Sequence, residues 1–224
     1  MIPITELIGF VLHIDKYLST IIQTYDTWTY AFIFIIIFLE TGLVLTPFLP
    51  GDSLLFASGS FAALGSLNLG IVFTVLTIAA ILGDTANYAF GYYLGPKVFK
   101  KENARFLKRE YLERTNDFYK RFGKKTIVLA RFVPIVRTFA PFIAGIGKMK
   151  YWEFLKFNIF GAILWVGLFT LSGYYFGTIP IVQEHFSLVI IGIIIVSVIP
   201  IIIEIIRSRK KTEPKKDFTP LSLR

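Results

Sequence analysis

The chain has 224 residues, 54% of them hydrophobic and 17% charged, with 23 Phe and a formal net charge of +9. A soluble domain carries about 25% charged residues, so this chain lacks the polar surface to cover itself. Its mean hydropathy of +0.64 points to an integral membrane protein and excludes intrinsic disorder. There is no cysteine, which removes disulfides, thiolate metal sites and Cys nucleophiles together. His13 and His185 are far apart and show no metal-ligand spacing, so no metal and no cofactor is expected.

In chain order, residues 1–27 mix apolar positions with Glu6, His13, Asp15 and Lys16. They read as an amphipathic N-terminal helix at the membrane surface or a poor span, and not as a cleaved signal, because the basic opening cluster is missing. Residues 28–67 are strongly apolar but interrupted by Pro47, Pro50 and Gly51. Proline removes a backbone donor and clashes with the preceding turn, so this segment is expected to be a first broken hairpin. Residues 68–95 read as a span, with Asp84, Asn87 and Tyr88 in its second half. Residues 96–125 hold eleven basic against four acidic side chains, and 207–224 hold seven against two. The positive-inside rule makes the first a basic cytoplasmic loop and the second a basic cytoplasmic tail. This placement takes the positive charge away from nucleic acid, which would want basic residues interleaved with aromatics on a folded surface. Within the loop, the aromatics from Tyr111 to Phe122 are expected to rest on the membrane. Residues 126–148 form a second broken segment containing Pro134, Pro141 and Gly145, and 152–178 and 185–206 are further spans. An even number of crossings must separate loop and tail, so 126–148 should enter and return.

A weak repeat supports two inverted halves. Thr46-Pro47-Phe48-Leu49-Pro50-Gly51 echoes Ala140-Pro141-Phe142-Ile143-Ala144-Gly145, and Gly91-Tyr92-Tyr93-Leu94-Gly95 echoes Gly173-Tyr174-Tyr175-Phe176-Gly177. Paired interrupted segments in two halves point to a transporter site near the midplane. The fold class is therefore read as an all-α polytopic membrane protein, with two Pro/Gly-broken re-entrant hairpins in inverted halves plus transmembrane helices.

Four charges sit inside apolar sequence: Glu40, Asp52, Arg131 and Arg137. A charge at mid-bilayer costs roughly 2.5–3.5 kcal/mol on insertion scales, and such residues mark functional sites or pair with one another. Arginine stays charged and grips phosphate or carboxylate bidentately; a buried acid is suited to carrying a proton. Arg131 and Arg137 are expected to hold an anionic headgroup, and Glu40 and Asp52 to exchange a proton. Structural Arg–acid pairing that knits the hairpins together is the plainer alternative. Asp84, Asn87 and Tyr88 are supporting candidates, either for ligand contact or for bonding neighbouring helices. Trp28 and Trp152 read as interface anchors.

At these residues the sequence resembles the DedA family of bacterial membrane proteins, which carry the VTT domain. The resemblance rests on Glu40-Thr41-Gly42, PFLPGDSLLF from Pro47 to Phe56, GDTANYAFG from Gly83 to Gly91, and ARFVPIVRTFAPFIAG from Ala130 to Gly145. It implies a multi-pass protein of the bacterial plasma membrane that moves a lipid between leaflets through two facing re-entrant hairpins. The implied substrate is undecaprenyl phosphate first, and phosphatidylethanolamine or a broader range of phospholipids second, with protons as the coupling ion. The family's membrane acids and arginines fall on Glu40, Asp52, Arg131 and Arg137. The expected partners are thus a lipid, protons and the bilayer, with no nucleic acid; the choice between monomer and homo-oligomer stays open. No enzymatic turnover is expected. An intramembrane lipid phosphatase would want a His nucleophile or a metal cluster, and a structural membrane-homeostasis protein would tolerate loss of all four charges.

Overall fold

The computed structural model describes residues 14–43, 51–98 and 109–193, and these are helical with no strand among them. Among the described residues there are nine α-helices and two 3-10 turns, the second at Gly123–Lys125. Helix α1 (Ile14–Tyr25) is joined by a 3-10 turn, Asp26–Trp28, to α2 (Thr29–Gly42). Then follow α3 (Gly51–Ala63), α4 (Leu69–Val98), α5 (Arg109–Phe122), α6 (Thr126–Ala130), α7 (Pro134–Ile146), α8 (Tyr151–Phe176) and α9 (Pro180–Glu184), with a further helical stretch, 186–193.

Among the described residues, three helical runs are long and apolar enough to cross a membrane: Tyr17–Gly42, Leu69–Tyr93 and Tyr151–Phe176, of 26, 25 and 26 residues. At about 1.5 Å per residue each exceeds the ~30 Å hydrocarbon core. The second lies within 68–95, and the third overlaps 152–178 but begins one residue earlier, at Tyr151. The first runs across the boundary drawn between residues 27 and 28, because the chain kinks at Asp26 (φ 43°) and re-enters helix within three residues. Asp is one of the few side chains that tolerate that backbone region. Helices α3 and α7 have 13 residues each, about 20 Å, short of the hydrocarbon thickness. The elbow with Pro47 and Pro50 lies outside the described residues, as do residues 1–13, 194–206 and the tail 207–224.

The chain divides into two compact units, described separately. The first holds α1, α2 up to Phe38, α3, α4 up to Ala79, and the chain from Ile163 onward. Its centre is α3, where Ser53 to Ser60 is buried without interruption, as expected of a helix enclosed on all sides. Small residues let backbones meet. A Cβ on Gly173 would strike the carbonyl of Phe56, and one on Gly59 would strike the carbonyl of Thr170 and the amide of Tyr174. Phe56 also packs on Phe186, with centroids 5.9 Å apart. The end of α3 is closed by Gly65 (φ 78°), with the amides of Ser66 and Gly65 bonding back to Phe61 and Ala62. That is a Schellman cap. Asn68 then starts α4: its Oδ1 accepts from the Ile71 amide at 3.1 Å, and Tyr30 Oη accepts from its own amide at 2.9 Å. A side-chain acceptor at this position satisfies one of the orphan donors of a helix start.

The second unit holds the end of α2 from Leu39, α4 from Ala80, α5, α6, α7 and α8 up to Ala162. A buried cluster that includes Tyr119, Ile127, Val136, Phe139, Phe142, Ile143 and Phe154 forms its core. Here a Cβ on Gly91 would strike the carbonyl of Phe142, and one on Gly145 would strike Tyr88 O and Tyr92 N. The echo of Gly91-Tyr92-Tyr93 with Gly173-Tyr174-Tyr175 thus has a structural counterpart. For the broken segments the register differs: Phe56 and Gly59 correspond to Phe142 and Gly145, eight residues beyond Phe48 in the echo read from sequence. The matching signal is Phe-x-small-Gly and not the Pro-Phe pair. The loop helix α5 is partly buried. Thr115, Asn116 and Tyr119 are buried, and Tyr119 Oη donates to the carbonyl of Ala140 at 3.0 Å. One face of α5 therefore packs on α7. Trp28 and Trp152 are each 72% exposed.

Candidate functional site

The site of the second unit is built around a helix break. Pro134 has no amide hydrogen to give the helix ladder, and the residue before a proline is driven to extended backbone. Val133 accordingly adopts φ −126°, ψ 100°. Just before it the chain tightens, with the amides of Arg131, Phe132 and Val133 bonding three residues back to Val128, Leu129 and Ala130. Helix resumes at Pro134, where the Arg137 amide bonds Val133 O at 2.8 Å. On an unbroken helix, residues six apart face different directions. The extended residue between Arg131 and Arg137 lifts that restriction, and both side chains are buried, 2% and 5% exposed.

Each arginine meets a carboxylate. Arg131 Nη2 donates to Asp84 Oδ2 and to Asn158 Oδ1, both at 2.6 Å, and lies 3.4 Å from the carbonyl of Ala80. Asn158 anchors the arrangement by donating to Ile81 O at 3.1 Å. Arg137 Nη2 donates to Glu40 Oε1. Glu40 reaches this position because Gly42 and Gly83 let α2 and α4 pass closely; a Cβ on Gly42 would sit 3.4 Å from Gly83 O. Next to that crossing, Asn87 Nδ2 donates to Thr41 O at 3.1 Å and to Thr138 O at 2.8 Å. One amide thus ties α4 to α2 and to α7. The stem of Arg131 runs over Gly161, where a Cβ would lie 3.2 Å from its Cδ and Nε. Asn87 bonds the residues next to both members of the Glu40–Arg137 pair, Thr41 and Thr138, from three positions along α4 from Asp84, so the two pairs form one cluster of two cations and two anions.

The structure brings Glu40, Arg131, Arg137, Asp84 and Asn87 together in one unit. Asp52 belongs to the first unit, where its Oδ1 accepts from Trp165 Nε1 at 2.8 Å. The acid at Arg131 is Asp84, a residue given only a supporting place by sequence. Tyr88 donates its hydroxyl to Met149 O and holds the turn between α7 and α8. Of the hairpin breakers, Gly51 opens α3, Pro134 opens α7, Pro141 lies inside α7, and Gly145 is the close contact to Tyr88 and Tyr92 already described. Asn158, Gly161 and Trp165 were not singled out from sequence. Asn158 carries a usable signal, a lone amide in the apolar run KFNIFGAIL, since such a group in hydrocarbon needs a partner.

Chemically, the cluster offers guanidinium groups for an anion and carboxylates for a proton or a cation. No group of three or more His, Asp or Glu able to hold a metal occurs among the described residues.

A family profile described as the VTT domain matches residues 49–175. Protein DedA of Escherichia coli (strain K12) is 53% identical over 206 residues, covering 91% of this chain and 94% of that protein. An uncharacterized membrane protein of Mycobacterium tuberculosis (strain ATCC 25618 / H37Rv), Rv0364, is 43% identical over 195 residues, covering 85% and 86%. Inner membrane protein YqjA of E. coli K12 is 34% identical over 156 residues, covering 70% and 71%. No solved structure matches the chain.

Proposed function

This chain belongs to the DedA family of VTT-domain membrane proteins, and on that premise we propose that it is a proton-coupled lipid transporter of the bacterial plasma membrane. Its substrate in this reading carries a phosphate headgroup, undecaprenyl phosphate first of all, and it acts without enzymatic turnover. The short helices α3 and α7 are read as the inner arms of two re-entrant hairpins.

The observation that carries the reading is the pair of buried arginines, each closed onto a carboxylate. Phosphate and carboxylate compete for the same guanidinium fork. A headgroup phosphate that takes Arg137 or Arg131 releases Glu40 or Asp84. Removing one partner of a buried pair costs about 3–5 kcal/mol, because a charge is left without compensation. The released acid relieves that cost by taking a proton, so headgroup entry and proton uptake are one exchange. Asp84 Oδ1, buried and without a hydrogen-bond partner among the described residues, is the natural acceptor for it. Asp52, held by Trp165, is the corresponding acid of the first unit.

Reconstitution into vesicles tests the reading. Transfer of undecaprenyl phosphate between leaflets should depend on the imposed pH gradient. It should fall to background with Arg131→Ala or Arg137→Ala while each protein still inserts. Normal transfer by either variant sinks the assignment. Phosphatidylethanolamine is the second substrate, favoured by the alternation of charge in the cluster, since its ammonium suits Glu40 and its phosphate Arg137. A side-by-side transfer assay separates the two lipids.

A further inference from the structure

Two helices of this molecule end in the same Schellman cap. In α3 the left-handed position is filled by Gly65, the residue that adopts it without strain. In α7 the amide of Met149 bonds back to Ala144 O and that of Lys148 to Gly145 O, both at 3.0 Å, and the left-handed residue is Lys148, with φ 52°. Glycine lies one position earlier, at Gly147, where φ is −71°. An L side chain at that cap works against backbone preference, and a strained residue held by its surroundings points from outlier to function. Lysine stands where glycine would fit better.

Lys148 lines a cleft of about 480 Å³ in the second unit, together with Lys150, Tyr88, Tyr92, Tyr93 and Tyr151. That volume is within the range of small-molecule sites. The rings form a connected wall: Tyr88 lies 6.2 Å from Tyr92 and 5.8 Å from Tyr151, and Tyr92 lies 5.2 Å from Tyr93. Tyr92, Tyr93 and Tyr151 remain 41%, 72% and 41% exposed. The buried Tyr88 hydroxyl fixes the lysine-bearing turn by bonding Met149 O. The nearby acid, Glu153, has Lys124 on it at 2.5 Å, with Lys150 and Lys156 also in electrostatic range, so the rim stays positive. Exposed tyrosines beside lysines at the end of a span are the composition of a membrane–water interface.

We propose that this cleft binds the phosphate headgroup of an anionic bilayer lipid in the leaflet next to the Lys148–Lys150 turn. Lysine ammonium and tyrosine hydroxyl groups donate to the phosphate oxygens, and the ring wall takes the glycerol and upper acyl carbons. This is a second anion site in the unit, separate from the arginine cluster and independent of what that cluster carries.

Native mass spectrometry of the purified full chain tests it, with phosphatidylglycerol and phosphatidylcholine of identical acyl chains as probes. The wild type should retain phosphatidylglycerol preferentially. Lys148→Gly should lower that retention about fivefold, as one surface lysine does, while the thermal midpoint stays level or rises because backbone strain is relieved. The double variant Lys148→Gln/Lys150→Gln should lose about 25-fold on the same scale. Equal retention of the two lipids, or wild-type retention by the double variant, overturns the proposal. A lower midpoint in Lys148→Gly would make the lysine structural and overturn its role. Displacement of the lipid by an equal concentration of inorganic phosphate would assign the cleft to the free anion and overturn the lipid.

Discussion

The two units solve the same packing problem and fill the result differently. In the first, α3 meets α8 with Phe56 O against Gly173 and Gly59 against Thr170 and Tyr174; in the second, α7 meets α4 with Phe142 O against Gly91 and Gly145 against Tyr88 and Tyr92. Around this shared contact, the first unit places Ala57, Ser58 and Ser60 and one acid–indole bond, Asp52 with Trp165. The second places two ion pairs and the Asn87 amide. Close helix approach is thus separable from chemistry. The glycines set the distance, and the side chains beside them decide whether the space is plain packing or a charged site.

Four tests break or sharpen this comparison. The largest effect belongs to the glycines. Gly91→Ala and Gly173→Ala each drive a methyl into a backbone carbonyl, which cannot swing aside as a side chain can. Each should cost about 3 kcal/mol or more, above the usual overpacking range, read as lower thermal midpoints in detergent. Similar losses support the equivalence; a loss in one unit alone breaks it. Next comes Arg137→Gln, which leaves Glu40 buried without its cation at a cost of about 3–5 kcal/mol. Adding Glu40→Gln should recover most of the midpoint but no transport, separating the fold from the chemistry.

Trp165→Phe tests the first unit. It removes a donor to a carboxylate, worth about 1.5–3 kcal/mol, so its midpoint should fall less than that of Arg137→Gln. The smallest effect is Tyr119→Phe, about 0.5–1.5 kcal/mol for one neutral hydrogen bond. Burial, reinforced by the negative charge of Asp84, pushes the Tyr119 phenol well above its ordinary value. Its folded pKa is therefore raised, so its contribution is complete below about pH 10 and is lost as pH rises through the folded value. In Tyr119→Phe this alkaline loss should disappear from midpoints measured across that range.

Much of this architecture is legible in sequence because the membrane imposes a coarse code. Two of the three span-length runs follow from apolar stretches, and the break at Arg131–Val133 follows from Pro134. The partner of Arg131 is not legible in the same way. Asp52 and Asp84 are both acids in apolar surroundings, and only the crossing of α4 with the helix break selects Asp84. The repeat was visible, but its register was drawn to the conspicuous prolines, whereas the contact is made by Phe56 and Gly59, whose neighbours are ordinary small residues. The end of α2 is harder still. Its continuity with α1 depends on Asp26 tolerating a left-handed backbone, which no hydropathy pattern records.

The Arg131–Asp84 pair also sets a timetable. The two residues are 47 positions apart, so during synthesis α4 emerges complete while the cation that neutralises Asp84 is still unmade. At about 5–20 residues per second, the acid waits about 2–9 s for its partner. Asn87 waits slightly longer for Thr138, 51 positions on. Through that interval Asp84 is without its cation, at a cost of roughly 2.5–3.5 kcal/mol for a charge at mid-bilayer, and the pair closes only once α6 and α7 have been made. The late segment thus completes the site that the early one begins.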